Sequence, residues 1–185
     1  MKRADHVSIL PAAALLLAVI LTSGCAATHP STAMGEAQIA SKISSLQSRL
    51  KELGPGVEPV EARRLAETAV TLSLRLADEY RVVPPARWHN LLIQMGLRDR
   101  GLCYHWTEDL MAHLQALQLA TYELHWGVAH PGSDLREHNS VVVTALNQPF
   151  AKGLVLDPWR NSGELTWIGV EQDAYPWQPL PRAKW

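Results

Sequence analysis

The central helix of this chain is predicted to begin within the segment Arg100-Gly101-Leu102-Cys103-Tyr104-His105-Trp106. Apolar residues then recur at steps of three or four, at Trp106, Leu110, Leu114 and Leu117. This spacing predicts an amphipathic helix over Cys103–Leu119. Cys103 lies three residues before Trp106, so it occupies the N-terminal end of the buried stripe. The segment therefore places a thiol at the start of a helix.

The length and composition predict one globular domain. The chain has 185 residues, of which 47% are hydrophobic, and this is enough to fill one core. A net charge of −1 gives no basic stripe of the kind that nucleic-acid binding requires, so no nucleic-acid partner is expected. Six of the seven Trp residues lie at or after Trp106. This skew predicts an aromatic-lined sheet or groove, although buried Trp alone would also produce it.

The first residues are typical of an export signal. Lys2 and Arg3 precede an apolar run over Val7–Leu21. That run is too short for a confident membrane span and fits the h-region of a signal peptide. The folded part is therefore predicted to enter an oxidising compartment, where an unpaired cysteine is unusual.

The end of this segment, Leu21-Thr22-Ser23-Gly24-Cys25-Ala26, resembles a bacterial lipoprotein signal. In such signals a cysteine after small residues becomes the new N-terminus and is fatty-acylated, with palmitate as the expected acyl group. This implies a signal peptide over 1–25, a lipid on Cys25 and a tether over 26–35. An ordinary signal cleaved after Ala27 is the alternative, since the residues before that position are also small.

The remaining pattern runs from helices to strands. Three helices are predicted before the central one, at Glu36–Leu53, Glu58–Tyr80 and Trp88–Met95. Four strands follow it, at Thr121–Val128, Asn139–Ala145, Gly153–Leu156 and Glu164–Val170. The C-terminal tail, rich in Pro and Trp, is predicted to be irregular. This order predicts an α+β fold in one domain over 36–185, with the central helix packed on an antiparallel sheet of about four strands.

A thiol at a helix start is suited to nucleophilic chemistry. The thiolate is the reactive form, and a helix N-terminus or a neighbouring imidazolium favours it. The unpaired backbone N–H groups of the first turn can also hold the oxyanion of a tetrahedral intermediate. Cys103 is therefore the candidate nucleophile.

A base and its orienting acceptor come from the second and third strands. His138 begins the second strand directly after a Pro/Gly loop, and Asp157 ends the third, before Pro158. A hairpin joined at Leu146–Lys152 puts the start of one strand beside the end of the next. His138 and Asp157 are therefore expected to meet, as base and orienter of a nucleophilic triad.

This arrangement resembles the transglutaminase-like, papain-like cysteine superfamily. The likeness rests on Gly101-Leu102-Cys103-Tyr104 at a helix start, His138 opening a Val-rich strand and Leu156-Asp157-Pro158 ending the next, and it covers roughly residues 88–170. It implies Cys103 as nucleophile, His138 as general base and Asp157 as orienter, with acyl transfer through a thioester. One departure is Asn139-Ser140 after the histidine, where members often have a small residue and then an aromatic one.

A second oxyanion donor is expected upstream of the cysteine. Candidates are Trp88, Asn90 and Gln94, which lie on the short helix before it. Neither a cofactor nor a metal is expected. A zinc site would need Cys103 with several histidines (His105, His125, His130 and His138), yet Cys103 and His105 project about 200° apart on one helix and no HxxxH or CxxC pair exists. His105 and His125 are expected to face solvent, or in the case of His125 to flank a groove.

The sequence thus predicts a cell-envelope lipoprotein with cysteine-dependent acyl-transfer activity. Peptidase, amidase and transglutaminase-like chemistry all remain open. The expected substrate is a peptide, a protein or a peptidoglycan peptide, and the expected membrane contact is the N-terminal lipid. Two alternatives predict no catalysis: a non-catalytic envelope binding module that reuses the fold, and a structural lipoprotein with an inert core cysteine.

Overall fold

The computed structural model describes residues 34–184. The predicted signal segment, the lipidation site Cys25 and residues 26–33 of the predicted tether lie outside the described residues.

Four helices precede a sheet of five strands. The helices are α1 Glu36–Lys51, α2 Pro59–Glu79, α3 Ala86–Gln94 and α4 Cys103–Gln115. The strands are β1 Tyr122–Ala129, β2 His138–Ala145, β3 Leu154–Asp157, β4 Thr166–Gly169 and β5 Trp177–Pro179. Every neighbouring pair is antiparallel, in the order β4-β3-β2-β1-β5. The predicted α+β class is therefore confirmed, while the sheet has five strands instead of about four. Within residues 34–184, no helix has the length and hydropathy that a membrane crossing requires.

The main core lies between the helices and one face of the sheet. From α4 it takes Trp106, Leu110 and Leu114, which are almost completely buried, as the helical spacing predicts. Val141 and Val143 supply the facing side of β2. Because side chains alternate along a strand, Asn139 shares their face, and His138 and Val142 belong to the other. The α4 stripe thus fixes the central helix across β2 and β1.

The C-terminal tail is not irregular, and the prediction for it is wrong. Trp177–Pro179 forms β5, which pairs with β1 so that Trp177 lies opposite Ala129. As an edge strand, β5 accommodates Pro179, which lacks a backbone donor. Trp177 is buried in a second small cluster with Val142 on the face of the sheet away from the helices. The tail therefore covers a face that four strands would leave open.

The central helix is also shorter than its apolar pattern predicts. It ends at Gln115 instead of Leu119, and Gln118 takes a positive φ of 50° in the turn that follows. Leu117 and Leu119 remain packed against the core from this turn. Their burial extends the apolar period beyond the helix, so the period alone overstates its length.

The turn between β3 and β4 packs against the helices at Gly163. Gly163 has a φ of +106°, and a Cβ there would overlap the Ala77 methyl and lie 3.5 Å from the Trp106 ring. The turn can therefore approach α2 and α4 only without a side chain at this position.

Gly163→Ala is expected to lower the free energy of unfolding by about 2–4 kcal/mol, since it adds overlap in the core to backbone strain. Gly132→Ala is the matched control, because Gly132 also has a positive φ but open space around its Cβ position. Urea unfolding of both variants would measure the difference. Equal losses would mean that strain alone, and not the packing of the turn, requires glycine.

Candidate active site

The loop before α4 is held by its neighbours on both sides. The Trp106 indole N–H donates to the Gly101 carbonyl at 2.9 Å. His89 Nδ1 accepts the Val83 N–H, so His89 Nε2 carries the ring proton and donates to the Arg100 carbonyl at 2.9 Å. Gly101 has a φ of +125°, and a Cβ there would overlap the His89 ring. The thiol-bearing helix thus begins at a fixed point.

His105 does not simply face solvent, and that expectation is wrong. It is half-buried, and its Nδ1 accepts the backbone N–H groups of Gly101 and Leu102 at 3.2 and 3.3 Å. Burial and the charge of Arg100 lower the pKa of His105, which keeps the ring neutral for this role. The Cys103 N–H has no acceptor within residues 34–184. His105 therefore caps the residues before the thiol and leaves the donor at the thiol itself open.

His138 and Asp157 are brought together as the hairpin geometry predicts. His138 Nε2 lies 2.7 Å from Asp157 Oδ2, and only 3% and 1% of the two side chains are exposed. Strand β2 pairs with β3 through Val141 opposite Leu156, which places the two residues at the same end of the sheet. Because Nε2 is taken by Asp157, Nδ1 is the ring atom left to exchange a proton with Cys103.

The Asp157 carboxylate continues into a row of alternating charges that the sequence patterns missed. Arg160 donates its backbone N–H to Asp157 Oδ1 at 3.1 Å and its Nε–H to Oδ2 at 3.0 Å. Its two terminal nitrogens donate to both oxygens of Asp173, at 3.2 and 2.7 Å. Asp173 also accepts the Trp177 indole N–H at 2.9 Å. The row therefore connects His138 to the C-terminal tail.

The charges in this row stabilise one another. Burial raises the pKa of Asp173, but the bonds from Arg160 and Trp177 outweigh it, and the pKa lies below its ordinary value. Burial by itself lowers the pKa of Arg160. The hydrogen bonds and charges of Asp173 and Asp157 outweigh burial, so the pKa lies above its ordinary value. Asp157 is thus fixed as a bonded acceptor on the side of His138 away from the thiol. The one local signal for Arg160 was its position three residues after Asp157, in a turn.

Three aromatic rings surround the imidazole of His138. Their centroids lie 4.7 Å (Trp159), 4.8 Å (Tyr175) and 5.3 Å (Trp177) from its own. The planes of these rings are tilted by 46–51° to the imidazole, and the rings help to bury it from solvent. Of the late Trp residues, Trp159 lines a cleft beside Cys103, whereas Trp106 and Trp177 are buried, so the skew reflects both an aromatic-lined groove and buried Trp.

These surroundings favour a protonated imidazole. Burial by itself lowers the pKa of His138, but the hydrogen bonds and charges of Asp157 and Cys103 outweigh it and raise the pKa to about 9. The imidazolium is then the form that faces the thiol across the neutral range. This is the charge state that a thiolate partner requires.

The thiol itself is half-buried between a carbonyl and an amide. Cys103 Sγ lies 4.0 Å from the Glu137 carbonyl and 3.9 Å from Asn139 Nδ2. The Glu137 carboxylate accepts the Gly132 N–H at 2.7 Å, and it also accepts from Asn139 Nδ2 at 3.4 Å. Glu137 thus anchors the Pro/Gly loop beside the sulfur. In the sequence, Asn139 differs from the pattern of the family that the chain resembles and carries no other signal.

A cleft of about 620 Å³ opens over the sulfur, a volume usual for ligand sites. Its walls come from α3, the start of α4, the loop before β2 and the segments after β3 and β4, including Leu91, Tyr104, Leu135, Trp159 and Tyr175. Arg87 and Asp134 also line it. The cleft thus combines apolar and charged walls. A second cleft, of about 490 Å³, contains the paired charges Lys152 and Glu171 and no nucleophile.

Two of the three predicted oxyanion candidates line this cleft. Asn90 and Gln94 do, whereas Trp88 is 47% exposed and is not among the lining residues. Asn90 Oδ1 accepts the Trp159 indole N–H at 3.1 Å. The oxyanion role of all three stays a prediction.

The other histidines have separate structural positions. His125 Nε2 hydrogen-bonds Thr144 across the strands at 2.9 Å, and burial lowers the pKa of His125. His130 lines the cleft and contacts Arg136. No group of three or more His, Cys, Asp or Glu side chains in the described part of the chain is arranged to hold a metal ion.

Comparison of the chain with protein-family models, with curated proteins and with solved structures found no match.

The raised pKa of His138 predicts a pH-dependent stability. Folded His138 holds its proton up to about pH 9, whereas the unfolded residue loses it near 6.5. The stabilisation is thus complete below pH 6.5 and is lost as the pH rises to 9, by about 3 kcal/mol. Urea unfolding at several pH values would measure it. His138→Gln, which has no proton to lose, is the control, and an equal pH dependence in both proteins would contradict the assignment.

Proposed function

We propose that this protein is a cell-envelope lipoprotein whose transglutaminase-like domain performs cysteine-dependent acyl transfer. The observation that carries the proposal is the buried His138–Asp157 pair next to a thiol at a helix N-terminus. A buried imidazole with an orienting carboxylate on one nitrogen and a thiol for the other is the arrangement that nucleophilic catalysis requires. The order of helix, His strand and Asp strand supports the family assignment.

The first half of the reaction follows from the two ring nitrogens. In the proposed resting state the thiol proton is already on His138 Nδ1, because Nε2 donates to Asp157 and the raised pKa favours the imidazolium. The thiolate attacks the carbonyl carbon of an amide or ester, and the π electrons move onto the oxygen. When the intermediate collapses, the bond to the leaving group breaks and the imidazolium supplies its proton. The acyl group is then a thioester on Cys103.

The second half reverses these roles. His138 removes a proton from water or from an amine, which attacks the thioester carbonyl. The thiolate leaves and recovers its proton from the imidazolium. Water gives hydrolysis, as in a peptidase or amidase, and an amine gives a transferred amide. The open cleft beside Cys103 leaves room for either acceptor.

The proposed substrate is a peptide, either of a protein or of peptidoglycan. The cleft supports a peptide because apolar walls at Leu91 and Tyr104 lie near the charged Arg87 and Asp134. The envelope location is inferred from the signal-like N-terminus alone.

Alkylation of Cys103 against pH tests the proposed function. In a soluble form lacking residues 1–25, iodoacetamide is expected to react rapidly at pH 6, well below the pH of about 8.5 at which an ordinary thiol ionises. His138→Ala is expected to slow this reaction at least 10-fold at pH 6, because the imidazolium no longer stabilises the thiolate. Cys103→Ala identifies the labelled residue.

If the wild type and His138→Ala both react slowly until they unfold, the result would contradict the proposed acyl-transfer activity. It would favour a binding domain or a structural protein with an inert cysteine. Fast alkylation that His138→Ala does not change would contradict the assignment of His138 as the partner of the thiol.

The lipid anchor has its own test. When the full chain is expressed in a bacterial host supplied with labelled palmitate, label is expected on the protein and is expected to disappear in Cys25→Ala. Cys103→Ala is the matched control, since it removes the other cysteine. Secretion of an unlabelled wild-type protein cleaved after Ala27 would contradict the lipoprotein and favour an ordinary signal peptide.

A further inference from the structure

We infer that Asn139 is a further catalytic residue, whose side-chain amide N–H stabilises the Cys103 thiolate and then the oxyanion of the tetrahedral intermediate. This inference rests on the proposed acyl transfer. Asn139 Nδ2 lies 3.9 Å from Cys103 Sγ, and Asn139 is only 8% exposed. The residue follows the base directly and departs from the pattern on which the family resemblance rests.

The orientation of the Asn139 amide is fixed by Trp126. The Trp126 indole N–H lies 2.7 Å from Asn139 Oδ1. An indole N–H can only donate, so the atom it meets is the amide oxygen and not the nitrogen. Trp126 on β1 and Asn139 on β2 share the face of the sheet that packs on α4, two positions apart in register. The NH₂ group is therefore held toward the thiol.

The two protons of this NH₂ group have separate acceptors. One faces the Glu137 carboxylate at 3.4 Å and the other faces the sulfur. Glu137 is held in turn by the Gly132 N–H. Bonds at Oδ1 and Nδ2 thus hold the amide in place before a substrate arrives, which is the condition for effective electrostatic stabilisation.

The same donor serves both charged states of the reaction. As the thiolate attacks, its electron pair forms the new S–C bond and the carbonyl π pair moves to oxygen, so the negative charge moves from sulfur to an atom beside it. A donor about 4 Å from the sulfur can receive that oxygen at about 2.7–3.1 Å. The free backbone N–H of Cys103 supplies a second donor. No proton leaves Asn139 in any step.

Asn139 fits the role better than the upstream residues. The amide oxygen of Asn90 accepts from Trp159, and no hydrogen bond joins Asn90 or Gln94 to the sulfur in the described part of the chain. Both line the cleft from α3. They are therefore placed to contact the substrate, while Asn139 is placed at the reacting atoms.

The test measures acylation of the soluble protein lacking residues 1–25 by the p-nitrophenyl ester of an N-blocked amino acid. Asn139→Ala is expected to lower kcat by 10²–10³-fold with KM changed less than about 3-fold, the pattern for a lost oxyanion donor. Trp126→Phe is expected to lower kcat about 10-fold, because the amide is no longer oriented. The double variant is expected to be no slower than Asn139→Ala, since both changes remove the same interaction.

The outcomes separate this inference from the proposed function. If the wild type acylates and Cys103→Ala does not, but Asn139→Ala keeps kcat within about 3-fold, Asn139 is not catalytic and the acyl transfer stands. A larger loss in Asn90→Ala than in Asn139→Ala would also overturn the inference. A wild type that neither acylates nor alkylates at low pH overturns both. Should Asn139→Ala fail to fold, Trp126→Phe decides, and an unchanged kcat there overturns the inference.

Discussion

The hydrogen bond between His138 and Asp157 lies where almost no solvent reaches, and this burial constrains the rest of the fold. Removing an ion from water costs several kcal/mol unless partners replace the water. Arg160 and Asp173 are those partners, and with His138 and Asp157 they form a row of four charges of alternating sign. They come from β2, β3, the turn after β3 and the C-terminal tail. The tail therefore contributes to the electrostatic surroundings of His138.

The other half of the site depends on where α4 begins. A helix start is useful to a thiol only if its N–H groups remain free, yet the preceding loop must still have its own polar groups satisfied. His105 accepts the N–H groups of Gly101 and Leu102. His89 donates to the Arg100 carbonyl. Trp106 then ties Gly101 to the core. The apolar stripe of α4 and the chemistry at its first residue are thus positioned by the same side chain.

The sequence predicted what depends on local spacing. The helical period predicted which face of α4 is buried, and the alternation of apolar and polar residues predicted β1. The predicted hairpin placed His138 beside Asp157. The partner of Arg160 beyond the turn, Asp173, was missed because its position depends on β5, whose Pro and Trp content argues against a strand until an edge beside β1 is available. Local patterns do not show which distant segment completes a sheet.

Asn139 shows a second limit, which is register. Alternation places His138 and Asn139 on opposite faces of β2, and both meet Cys103 because they lie at the end of the strand where α4 begins. Pairing Val128 with Asn139 brings Trp126 onto the face of the amide. A slip of one residue would exchange the two faces and turn the imidazole toward the helices, away from Asp157 and the aromatic rings. The continuous apolar core beneath Val141 and Val143 opposes that slip. The packing of the sheet therefore keeps His138 and Asn139, two neighbours on opposite faces, both close to the Cys103 sulfur.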